Sequence, residues 1–83
     1  MLYRILTEAV NQKAVEVLAG KTFEGFTVYT GAGFWKSLEE KNLTLEIDTK
    51  NKKGVYQLAQ DIKKLNHQEA ILIQEFKTST AFV

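Results

Sequence analysis

The segment Thr30-Gly31-Ala32-Gly33-Phe34-Trp35-Lys36 holds the least ordinary chemistry of the chain: two glycines bracket a small residue, and two aromatics and a cation follow. Glycine lets a ligand or another backbone come close, or takes positive φ, and bare peptide N–H groups can cradle an anion. A phosphate loop needs more than that. It needs a helix that opens at the glycines, whereas here a polar stretch and another strand follow, without the third glycine or the lysine of a nucleotide loop. The residues therefore predict a bulged, strongly twisted hairpin in which Gly31 and Gly33 make room for an aromatic ring such as Tyr29 or Trp35. Tyr29, Gly31, Gly33, Trp35 and Lys36 are its candidate ligand contacts, and a small anion is the ligand that peptide N–H groups and a lysine would suit.

His67 is the only histidine and cysteine is absent, which excludes a His-rich metal site within one chain, a thiolate nucleophile and a disulfide. With Ser37 and Ser79 as the only serines, no Ser-His-acid triad emerges from the spacing. In Asn66-His67-Gln68-Glu69 the histidine sits between a helix end and a strand, where a solvated or dipole-stabilising role is the ordinary one. The functional alternative is a metal held at a subunit interface by His67 and Glu69 of several copies. Glu46, on a strand face turned from the core and with Glu39 and Glu40 nearby, could act as a general acid if burial raised its pKa. No nucleophile-base pair results. The expectation is a binding protein with no catalytic residue, metal or cofactor; the enzyme alternative is a small dimeric α+β type using Glu46 or His67 as acid or base with Tyr29 as hydrogen-bond partner.

These groups must be positioned by a small scaffold. Its 83 residues, 45% hydrophobic and 25% charged, predict one domain over residues 1–83 and disfavour disorder and repeats. Leu2 to Thr7 reads as a strand, and Val10 to Ala19 as a helix stopped at Gly20. Phe23 to Trp35 alternates as a long strand, with Phe26, Val28 and Thr30 on one side and Thr27, Tyr29 and Trp35 on the other. After a polar stretch from Lys36 to Asn42, Leu43, Leu45 and Ile47 face a core while Thr44, Glu46 and Asp48 face away. Asn51 caps a second helix striped by Val55, Leu58, Ala59, Ile62 and Leu65. Ala70-Ile71-Leu72-Ile73 reads as a last strand buried on both faces. The order is β-α-β-β-α-β, a ferredoxin-like α+β fold with a four-stranded antiparallel sheet, strands one and three central, and two helices on one face.

Eleven basic and ten acidic side chains leave a net charge of +1, too little for a protein that lives on phosphates. Lys50, Lys52, Lys53, Lys63 and Lys64 read as a solvated helix surface. An RNA-recognition sheet would place aromatics on strand three, and Leu43 to Asp48 has none, so no nucleic-acid partner is expected. Neither a membrane-spanning run nor the long apolar region of a signal peptide is found, which makes the cytoplasm the expected location. Two helices cover only one side of the sheet. The open side, bearing Tyr29 and Trp35, predicts self-association or a partner, unless the apolar tail Ala81-Phe82-Val83 folds back over it. The Trp35 ring in particular should be covered by a subunit, the tail or a ligand.

The element order, the long central hairpin ending in glycine and Trp35, and a last strand reached through His67-Gln68-Glu69 resemble the PII and CutA-like group of small ferredoxin-like proteins. The chain is also similar to short uncharacterised bacterial and phage proteins with a Gly-Phe-Thr-Val strand (Gly25 to Val28), a Gly-x-Gly-aromatic-Trp hairpin (Gly31 to Trp35) and an Asn-x-Gln-Glu-Ala approach to the last strand (Asn66 to Ala70). The first resemblance implies a homo-oligomer, commonly a trimer, with ligands in clefts between subunits. A small regulatory domain binding a small ligand or a protein there, through Tyr29, Gly31, Gly33, Trp35, Lys36, Glu46, His67 and Glu69, is the leading expectation. Lys36 to Asn42 gives at most a seven-residue counterpart to the long ligand loop of signalling PII proteins. A third reading, a phage or plasmid protein that pairs its edge strand with a host partner and inhibits it, fits the size.

Overall fold

Alternating apolar residues produce the strands and apolar steps of three and four produce the helices. The computed structural model describes residues 1–83 apart from the side chain of Trp35, in the order β1 (Leu2–Glu8), α1 (Gln12–Gly20), β2 (Thr27–Trp35), β3 (Leu38–Asp48), α2 (Lys52–Leu65) and β4 (Leu72–Phe76). The strands form one antiparallel sheet in the order β2-β3-β1-β4, so the expected ferredoxin-like layout is present, with β1 and β3 central. Tyr3, Ile5, Leu43, Leu45 and Ile47 project to one side, where they form a core with Val15 and Ala19 of α1 and Val55, Leu58, Ala59 and Ile62 of α2. Asn51 caps α2 as its sequence position predicts, its Oδ1 accepting the Gly54 N–H at 2.9 Å.

Four details depart from the sequence reading. First, β3 starts at Leu38, so the polar stretch Lys36 to Asn42 is mostly strand, and only Lys36 and Ser37 turn the chain. Both have positive φ, 50° and 64°, and the flanking Trp35 and Leu38 pair, which is the geometry of a tight two-residue hairpin turn. Second, the hairpin has no bulge. The register from Thr27↔Glu46 to Trp35↔Leu38 never slips, and no glycine has positive φ. Third, β4 is an edge strand with an open side, on which Leu72 is 55% exposed, because the two helices reach only its core side. Fourth, α1 begins at Gln12, and Val10 stands exposed ahead of it.

The uninterrupted register has a mechanical consequence. β1 ends at Glu8, opposite Asn42, so four rungs of the hairpin extend past it, from Ala32↔Lys41 to Trp35↔Leu38. This two-stranded arm, about 14 Å long at strand rise, lies at one end of a molecule measuring 41 × 24 × 19 Å.

Candidate functional site

A groove opens at the root of the arm. Leu6 to Glu8 at the end of β1 form one part of it, Gly33, Glu40 and Lys41 of the arm with Asn42 at its base another, and Gln68 to Leu72, leading into β4, close it. Its volume is about 930 Å³, which is room for a small organic ligand. The glycines shape one wall. A Cβ on Gly31 would lie 3.0 Å from Asn42 Oδ1, and one on Gly33 3.3 Å from Asn42 Nδ2. Gly31 and Gly33 therefore make room for the carboxamide of Asn42, which lies across them, rather than for the ring of Tyr29.

The opposite wall is fixed by a polar junction. Thr7 is 5% exposed, and its hydroxyl donates to Gln68 Oε1 while accepting from Asn66 Nδ2 at 3.4 Å. Asn66 Nδ2 also reaches Gln68 Oε1 at 3.3 Å, and Asn66 Oδ1 accepts from Asn11 Nδ2 at 3.0 Å. The end of β1, the start of α1 and the connection from α2 to β4 are thereby tied together. The residues that line the groove include three acids, Glu8, Glu40 and Glu69, and one lysine, Lys41.

A second cluster occupies the open face of the sheet. Arg4 donates from Nη2 and Nε to Glu46 Oε2 at 2.7 and 3.0 Å, and its guanidinium lies 4.9 Å from the centre of the Phe76 ring. The hydrogen bond to Glu46, helped by the nearby Tyr29, raises the pKa of Arg4 further above its already high value. Glu46 is thus an ion-pair partner in the middle of the sheet. Leu2, Leu6, Leu72, Phe76 and Tyr29 surround the pair, the last three at least partly open to solvent.

At the far end of this face the chain is clipped to itself. Asp48 accepts from the hydroxyls of Thr78 and Thr80 and lies 3.4 Å from the Met1 ammonium. The apolar end of the tail does not fold back over the sheet: Phe82 is fully exposed. The Thr80 bond is the main cause that lowers the Asp48 pKa. A lowered carboxylate pKa adds stability above the usual range and loses it as pH falls through the lowered value. The clip is therefore expected to hold unchanged from neutrality to about pH 4 and to release below that, which amide chemical shifts of Thr78 and Thr80 would follow. Asp48→Asn should reproduce the released shifts at neutral pH.

The residues singled out by sequence fall into separate places. Gly33 and Glu69 line the groove, and Gly31 lies beside it under Asn42. Tyr29 and Glu46 belong to the open-face cluster. Lys36 is in the turn at the arm's tip, and His67 is exposed, with φ of 54°, on the connection from α2 to β4. Trp35 lies in β2 beside the turn, and its ring is outside the described residues. Of the residues that frame the groove, Gln68 falls in the Asn-x-Gln-Glu-Ala pattern, whereas Thr7 and Asn42 have no motif to mark them; for Asn42 the sequence signal is a pair of glycines on the neighbouring strand.

No protein-family model and no curated protein matches the chain. Solved structures do. A DUF3240 family protein from Shewanella baltica OS155 superposes with a TM-score of 0.73 at 10% identity, over 99% of this chain and 94% of that one. CPII, a nitrogen regulatory PII-like protein from Thiomonas intermedia K12 solved with ADP, AMP and bicarbonate, gives a TM-score of 0.66 at 9% identity, over 98% and 93%. A de novo designed protein, Foldit4, gives 0.55 at 14% identity, over 94% of each. The fold is therefore PII-like as well as ferredoxin-like. Among the described residues no helix is long and apolar enough to cross a membrane, and no cluster of three or more acidic or histidine side chains is arranged to hold a metal.

Proposed function

We propose that the protein is a small self-associating regulatory domain that binds a ligand, without catalysis, in the groove at the root of the arm, where a neighbouring copy completes the cleft. The observation that carries this reading is the arm itself. A two-stranded ribbon is marginal in water without a third layer, and this one extends past β1 with Phe34 72% and Leu38 68% exposed. A second copy, in the three-fold form that the PII resemblance implies, would cover those side chains and roof the groove. The CPII structure, solved with nucleotides and bicarbonate, supports a ligand-binding role for this layout.

The groove differs from an anion site in its charge. Three carboxylates against one ammonium repel an anion, while the carboxamides of Asn42 and Gln68 offer both donors and acceptors above the apolar Leu6 and Ile71. A neutral polar ligand suits it better than the small anion that the glycines and Lys36 suggested. No comparable observation favours the enzyme, since Glu46 is engaged by Arg4 in mid-sheet while His67 stands on a connection before β4.

Light scattering at micromolar concentration tests the assembly, and a strictly monomeric chain would overturn it. Adenosine and AMP, added separately to labelled protein, test the groove. The amides of Gly33, Asn42, Gln68 and Ile71 should respond to the neutral nucleoside at least as strongly as to the nucleotide, and a response to AMP alone would overturn the charge argument. Gly33→Val should narrow the groove beside Asn42 and weaken that response at a stability change of about 1 kcal/mol or less, because a β-branched residue suits a strand and Asn42 needs to move only slightly.

A further inference from the structure

β2 is an edge strand, covered by β3 on one side and by no other strand of its own chain on the other. Stable proteins blunt such edges with charge, proline, a bulge or short length, because an open row of N–H and C=O groups is a template for another chain. Thr27–Trp35 has none of these devices: it is nine residues long, uncharged, free of proline and regular in register. The other edge, β4, is five residues long and contains Glu75, which pairs with Lys52.

The groups that β2 offers follow from β3. The Lys41 carbonyl accepts from Ala9 N–H on the β1 side, so alternation turns Glu40 and Asn42 toward β2, and Gly33 and Gly31 toward them in return. The N–H and C=O of Val28, Thr30, Ala32 and Phe34 consequently point outward.

We infer that β2 pairs antiparallel with β2 of a second copy about a two-fold axis at Gly31, joining the two sheets edge to edge. This rests on the self-association proposed above and adds to it a contact along the backbone edge of β2. In this register Val28 meets Phe34 of the second copy and Thr30 meets Ala32 of the second copy as hydrogen-bonded pairs, and the same pairs recur across the axis. Tyr29, 42% exposed, lies beside the bare backbone of Gly33 of the second copy, and the exposed Phe34 gains an aliphatic neighbour. Beyond the ladder, Lys36 of each copy arrives near Phe26 and Glu24 of the other, so the ends of the contact are complementary in charge. No ion has to leave water along the strand itself.

The chain has no cysteine, which permits a clean cross-linking test. Thr30→Cys and Ala32→Cys chains are mixed and oxidised; the register predicts that the mixed disulfide dominates over either homodimer. A Thr30→Lys, Ala32→Lys double variant, both positions being exposed, sets like charges opposite one another and should halve the wild-type particle mass while circular dichroism stays unchanged. An associated wild type whose mass survives the lysines, or a mixed disulfide no more abundant than random collision gives, overturns the edge pairing and leaves self-association standing. A wild type that is monomeric throughout overturns both.

Discussion

Leu45→Ala is expected to lower the stability of the domain by about 3 to 5 kcal/mol, the upper part of the range for a buried leucine. Leu45 is fully buried at the centre of β3, opposite Ile5 of β1 and Val28 of β2, so two strands and the helix layer all face the void that alanine would leave. Neighbours pinned in a sheet ladder collapse little into such a void, which is why the cost should exceed the transfer term for the missing methyl groups. A domain of this size has only about 5 to 10 kcal/mol in total, and urea unfolding should show the midpoint falling by roughly a third or more. Leu38→Ala offers the contrast. At 68% exposure on the arm its stability cost should be within about 0.5 kcal/mol, while self-association weakens. Equal stability losses for the two variants would mean that the arm belongs to the folded core of a single chain.

How much of this was readable from the sequence depends on which physical rule governs each element. Leu43, Leu45 and Ile47 alternate on a strand with one wet face, and Val55, Leu58, Ala59 and Ile62 follow helical steps, so burial alone decides both patterns. The hairpin turn was not readable, because a tight turn with positive φ at both central residues ordinarily announces itself as Asn-Gly or Asp-Gly, and Lys36-Ser37 does not. Missing that turn made Glu39 to Lys41 look like loop, and so hid the arm. The glycines stand out in the sequence, but of the neighbours expected for them Tyr29 is replaced by Asn42. Periodicity assigns a face to each residue but not the residue opposite, and only the register places Asn42 across from Gly31. Thr7 on β1 lies 59 and 61 residues away from Asn66 and Gln68 on the connection from α2 to β4, a junction that no local pattern could display.

That junction carries the other large effect. Thr7→Val keeps the shape of the side chain and removes the hydroxyl, so Gln68 Oε1 loses one of its two donors and Asn66 Nδ2 loses one of its two acceptors, in a region where Thr7 itself is almost wholly covered. A buried polar atom left short of a partner costs about 1 to 3 kcal/mol, and a loss of that size in thermal or urea unfolding is the expected result. Valine favours strands at least as strongly as threonine and buries more apolar surface, so propensity and hydrophobicity both predict the opposite sign. The two accounts therefore differ in direction as well as in size. Gln68→Met separates the junction's role in folding from its role at the groove. If Thr7 acts through Gln68, the double variant should be about as stable as Thr7→Val alone, the coupling of residues in one hydrogen-bond network. Additive losses would mean that Thr7 holds β1 by itself, and that the wall of the groove between Gln68 and Leu72 takes its position from β4.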